Sequence, residues 1–149
     1  MERTKGVTIY AVLIIIYGAF NLLGSGNFSQ FSMMFKPLAA PVILAAYVFT
    51  ILYGVCGVYC GIRMLKLDEW ARKAVVIMTA ISVITGFFMT RTAMANYKEF
   101  ILSGEAGVPA GTEAVTYNYV VAFIILATLF ELSIVFFLTR PNVVNQFKQ

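Results

Sequence analysis

The sequence predicts an all-α fold: an antiparallel bundle of four transmembrane helices, with both termini cytoplasmic and a small extracytoplasmic cap. Three observations predict it. The 149 residues are 60% hydrophobic and 12% charged, against roughly half apolar and a quarter charged in soluble domains. Four apolar runs each approach the roughly 20 residues that a helix needs to cross the hydrocarbon core. The basic residues gather on one side of those runs: Arg3 and Lys5, then Arg63, Lys66, Arg72 and Lys73, then Arg140 and Lys148, against Lys36, Arg91 and Lys98 on the other. The side richer in Lys and Arg is the cytoplasmic one. A chain of this length makes a single membrane domain.

The first run is "GVTIYAVLIIIYGAFNLLG", 6–24. It follows a short basic start, but its apolar core is long for a signal peptide and no small-residue cleavage site follows, so it reads as a retained anchor. Helix is the default in lipid, because backbone groups there must be satisfied within the segment. The loop "NFSQFSMMFKP" places Phe28, Phe31, Met34 and Phe35 at i, i+3, i+6 and i+7. That spacing is one apolar face of a short helix, which would lie in the membrane interface. The alternatives are an irregular loop with aromatics dipping into lipid, or a lip that binds a partner. The "NFS" at Asn27 is a glycosylation sequon only in a secretory context. Pro37 and Pro41 then turn the chain into the second run.

That second run is 41–65. Its Gly54, Gly57 and Gly61 include a G-x-x-x-G pattern, which lets helices approach closely within a bundle or between subunits. The turn "RMLKLDEWARK" places Arg63 and Lys66 at a helix C-terminus and Asp68 and Glu69 at the next N-terminus, both favourable to the helix dipole. Trp70 sits at interfacial depth. So short a turn makes its two helices antiparallel neighbours. The third helix is expected over 71–102, with its membrane part to about 90, because Ala93, Met94, Tyr97, Phe100 and Ile101 keep helical spacing. Gly104 would end it, and "GEAGVPAGTEA" reads as a connecting loop. The fourth helix is expected over 119–139.

Glu131 stands alone as an acid inside the fourth run. Counting about 1.5 Å per residue from Arg140 puts it roughly 13 Å into the bilayer. Equivalent counts reach Tyr53 from Arg63, Ser82 from Lys73 and Tyr17 from Lys5. The four helices thus offer a polar layer at one level, with Thr50 and Thr128 a turn away. A carboxyl facing lipid is costly, so Glu131 is expected to face the bundle or a partner. As a protonated carboxyl it would share hydrogen bonds with Tyr17 or Tyr53 and hold the helices in register. As a relay or cation site it would need further titratable groups across the membrane, and the apolar runs supply none. Asn21, near the outer end of the first helix, can also bond across helices.

Other chemistry is poorly served. Histidine is absent, which removes the commonest metal ligand and general base. Cys56 and Cys60 lie four apart in an apolar stretch, unlike a redox or zinc motif. No metal site and no cofactor is expected, and no basic run suggests nucleic acid.

Two stretches, "GIRMLKLDEWARKAVVI" (61–77) and "FFLTRPNVVNQF" (136–147), resemble the middle turn and C-terminus of small uncharacterised prokaryotic four-helix integral membrane proteins. The resemblance implies a four-helix protein of a prokaryotic cytoplasmic membrane, and no activity. The chain length is also that of the glutathione-dependent membrane transferases, whose polar helix motifs have no counterpart here.

Three classes of function follow. The leading one is a non-enzymatic accessory or scaffolding subunit, packing against other membrane proteins or copies of itself within the bilayer. It is motivated by the lack of a catalytic set and by the small-residue face. The second is a small transporter or channel component using Glu131. The third is a membrane enzyme or lipid-binding protein whose pocket opens between helices.

Overall fold

A computed structural model describes residues 5–26, 28–34, 38–102 and 111–147. Among them are six helices and no strand: α1 Lys5–Gly24, α2 Phe28–Met34, α3 Ala40–Met64, α4 Glu69–Leu102, α5 Glu113–Thr139 and α6 Pro141–Phe147. Four of these, α1, α3, α4 and α5, are long and apolar enough to cross a membrane. Bulky side chains such as Phe20, Leu23, Phe87 and Phe123 stand on their exterior, each at least two-thirds exposed. In water that surface would aggregate; in a bilayer it is the expected one.

Apart from shifts of one or two residues at the ends of α1, α3 and α4, the element bounds differ from the sequence expectation in two places. Helix α5 starts at Glu113, six residues before the apolar run, because polar residues can extend a helix beyond the hydrocarbon. The stretch after Arg140 forms a further helix, α6, where a tail was expected. Pro141 stands at its first position, where proline's missing N–H costs nothing. Val143 and Phe147 turn its apolar side into the core.

The core lies at one end of the bundle. Val7, Ala11 and Ile14 from α1 meet Cys60 and Met64 from α3, Ala71 and Val75 from α4, Ile134 and Leu138 from α5, and the two α6 residues. This end, which holds the α3–α4 turn, is termed basal, and the opposite end distal. Helix α1 packs along α3, α4 along α5, and α3 against α4.

The α3–α4 turn closes as a Schellman motif. Leu67 N donates to Met64 O (3.0 Å) and Asp68 N to Arg63 O (3.3 Å). Leu67 takes the left-handed conformation, φ 60°, where glycine is usual. Its side chain packs on the basal core, a contact that glycine would not make. An Arg63–Asp68 ion pair spans the turn.

The α1–α3 seam is close, and glycine makes it so. Gly18 lies against the Gly54–Val58 backbone, and Gly61 lies against Ala11 and Ile15. Gly57 faces Gly18. The small-residue face of α3 is therefore occupied by α1 of the same chain.

Candidate functional site

All four long helices bring polar groups to one level, just distal to the core. Helix α5 supplies Glu131, which is 7% exposed. Its Oε1 accepts hydrogen bonds from the Tyr17 hydroxyl of α1 (3.0 Å) and the Ser82 hydroxyl of α4 (2.9 Å). From α3, Tyr53 approaches the Thr79 hydroxyl at 3.4 Å and sets its ring edge-on to Tyr17, centroids 6.1 Å apart. Phe130 closes the other side of Tyr17 at 5.3 Å. One level basal, Tyr10 stacks on Phe137 at 4.2 Å and donates to Ser133.

The structure thus brings Tyr17, Tyr53, Ser82 and Glu131 together. Thr128 is not among them. It is exposed, and its hydroxyl donates to Ile124 O one turn back on its own helix, so it needs no partner across the bundle. Thr79 belongs to the layer and was missed. It is buried at 1% and lies three residues before Ser82, on the same helical face; residue depth without facing did not reveal it. Gly54, Gly57 and Gly61 lie in the α1–α3 seam, away from the carboxyl. Phe28 and Phe31 set their rings edge-on to Tyr47, at 4.9 and 5.4 Å, and Tyr47 donates to Ser25 O at 2.6 Å. The segment is therefore a helix held to α3. The Met34 side chain and Phe35 lie outside the described residues.

Below the polar layer the bundle is closed. A gap of about 10 Å³ lies between Tyr17, Tyr53 and the core, at the lower edge of the roughly 10–15 Å³ that one water requires. Above the layer it is open. A cleft of about 600 Å³ separates α1 from α5, and a space of about 150 Å³ separates α3 from α4. Asn21, Phe31 and Thr50 line both. Tyr17, under the larger cleft, and Ser82, at the smaller space, are the groups that hold Glu131.

The cause of the cleft is readable in two stripes. On α1, the residues facing α5 are Gly6, Tyr10, Tyr17, Asn21 and Gly24. The first three meet Phe137, Ser133, Glu131 and Phe130. Asn21 and Gly24 meet the level of Ala127 and Phe123, and side chains this short leave the space unfilled.

At the basal end a second polar constellation forms. Arg72 is 7% exposed. Its Nη1 donates to Leu138 O, the C-terminal end of α5, at 2.8 Å. Nε and Nη2 grip the two Glu69 oxygens, both at 2.9 Å, and the guanidinium lies over the Phe147 ring at 5.9 Å. A cation at a helix C-terminus opposes the helix dipole. The stretches 61–77 and 136–147 thus dock on each other through Arg72.

No family model, curated protein or solved structure matches this chain.

Proposed function

We propose that this chain is a non-enzymatic integral membrane accessory protein whose working surface is the distal cleft between α1 and α5. The observation that carries the proposal is the contrast across Glu131: close packing on the basal side, about 600 Å³ of open, mostly apolar space on the other. Small-molecule sites in proteins occupy roughly 300–1,000 Å³ and are lined in this way. Glu131 is assigned no chemistry. Its bonds to Tyr17 and Ser82 support a locking role, in which it fixes the floor of the cleft by tying α1 and α4 to α5. The basic residues support cytoplasmic termini, and the cleft then faces the outer leaflet. Because α1 covers the glycines of α3, association with other membrane subunits or further copies would use the remaining apolar exterior.

Filling the cleft tests the proposal. Ala127 lines it, and Ala127→Trp would occupy much of it. Wild-type protein in mild detergent should carry a bound lipid adduct in native mass spectrometry, and the variant should lose it while keeping its helical circular dichroism. Equal retention by both, or no adduct on either, would remove the cleft as the working surface.

A further inference from the structure

The space between α3 and α4 differs from the α1–α5 cleft in what lines it. Five of its ten lining residues are polar: Asn21, Thr50, Tyr53, Ser82 and Thr85. Small residues hold it open from both walls. On α4, Ser82, Gly86 and Met89 fall at i, i+4 and i+7, one helical face, and a methyl group on Gly86 would meet nothing within 4 Å. On α3 the small residue is Ala46. From Ser82 to Met89 the wall runs roughly 10 Å along the helix, from the polar layer towards the distal end.

Such a space takes water. Its volume of about 150 Å³ is about ten times the roughly 10–15 Å³ that one water requires. Thr50 and Thr85 donate to Ala46 O (3.0 Å) and Ile81 O (2.7 Å) on their own helices, so their oxygens keep lone pairs for water. Asn21 gives one N–H to Tyr17 O (2.8 Å) and has a second N–H and an oxygen to offer. Ser82 stands at the floor and donates to Glu131 Oε1 at 2.9 Å. The carboxyl is therefore one hydroxyl away from the water. On its basal side lie a gap of about 10 Å³ and the closed core.

Beyond the tie between helices, we propose that Glu131 is a proton-binding site that exchanges with the distal side alone, through water in the α3–α4 space, with Ser82 as the relay. The titratable groups that face it are Tyr17 from α1 and Tyr53 from α3, and α4 offers the hydroxyls of Ser82 and, behind Tyr53, Thr79. A hydronium ion at the floor gives a proton to Ser82 Oγ as Ser82 passes its own to the carboxylate. The products are a water, a serine hydroxyl and a carboxylic acid, and release runs the same path in reverse. The site is a terminus rather than a conduit, because closed packing lies basal to it.

Deuterium exchange at the carboxyl tests the route. The full chain is placed in phosphatidylcholine nanodiscs, transferred to heavy water and followed by infrared spectroscopy. The C=O band of a protonated carboxyl shifts when its hydrogen becomes deuterium, and Glu131→Gln identifies the band by its loss. Wild type should exchange within the mixing time. Gly86→Leu plugs the space from α4 and Ala46→Leu plugs it from α3, so a folding failure in one leaves the other. Positioned proton-transfer groups are worth about 100- to 10,000-fold in rate, so either plug should slow the exchange by about 100-fold or more. Ala127→Trp, which fills the other cleft, should leave it fast. Fast exchange in the plugged variants, or slowing by Ala127→Trp alone, would overturn the proposal. So would slow exchange in wild type, or no such band at any pH at which the chain stays folded. Lipid retention in the α1–α5 cleft is read separately, so either proposal can fail without the other.

Discussion

Replacing Gly18 with alanine should destabilise the bundle, and the seam geometry gives the size. A methyl group on Gly18 would lie 2.8 Å from Gly54 O, 2.9 Å from Val58 N and 3.2 Å from Gly57 C. Ordinary contact for such an atom begins near 3.4 Å, so the closest approach is 0.6 Å too short (3.4 − 2.8). All three neighbours are backbone, so no side chain can swing aside, and α1 must lift from α3. Overpacking of this kind costs about 1–3 kcal/mol. Alanine also gains about 0.8–1.0 kcal/mol over glycine in helix propensity, which would mask part of the cost. Gly86 of α4 supplies the control, since a methyl there meets nothing within 4 Å. The propensity gain is common to both variants and cancels in their difference. Gly18→Ala should therefore be about 1–3 kcal/mol less stable than Gly86→Ala in reversible unfolding by sodium dodecyl sulfate, followed by circular dichroism. Equal stability of the two variants would mean that the α1–α3 seam is not the close contact described, and the placement of the whole polar layer would go with it.

Glu131→Gln should be nearly silent, because a carboxamide oxygen can still accept from Tyr17 and Ser82. Glu131→Leu should lose both bonds, a cost of about 1–3 kcal/mol at the roughly 0.6–1.7 kcal/mol measured for single interhelical bonds, read in the same unfolding assay. Loss of stability in Glu131→Gln as large as in the leucine variant would point to an ionised carboxylate as the essential form. Arg72→Met should loosen the tie between α4 and the C-terminal end of α5, because it removes the bond to Leu138 O. A buried hydrogen bond to a charged group contributes about 1.5–3 kcal/mol, and its loss should appear in the same unfolding assay. Arg72→Lys should not restore stability, since an ammonium cannot hold Glu69 with two parallel bonds while reaching Leu138 O.

Much of this architecture is written in residue order. Apolar run length marks the four long helices, because a bilayer imposes one length on every span. Counting residues from the basic ends brought Tyr17, Tyr53, Ser82 and Glu131 to one level, because helical rise is constant. Rotation is harder to read. Thr128 and Thr79 each lie one turn from the polar level, on opposite sides of it, yet one faces out and the other in, and that difference arises only from which neighbours pack beside α4 and α5. Helix α6 escaped notice because seven residues carry little periodicity of their own; it is held by Val143, Phe147 and the Arg72 latch. The Gly54–Gly57–Gly61 face was legible as a contact surface, but its partner was not, because glycine spacing states closeness without naming the helix that comes close.

The cleft admits a second explanation, and one variant separates the two. Asn21, Gly24 and Ala127 are short where the basal levels use Tyr10, Tyr17 and Phe137, so the space could be a packing defect that bilayer chains fill without selection. Cavity-filling substitutions in ordinary packing defects commonly stabilise by about 0.5–2 kcal/mol and leave function intact. A binding site behaves differently: filling it can stabilise the empty protein to the same degree while abolishing what it holds. Ala127→Trp should therefore raise resistance to unfolding in lipid-free detergent and fall behind wild type once a lipid that the cleft holds is added, because only wild type gains binding energy from it. A defect filled by any chain gives the same crossing of the two stabilities with every lipid added, whereas a binding site gives it with one class of lipid and leaves the tryptophan variant ahead with the others.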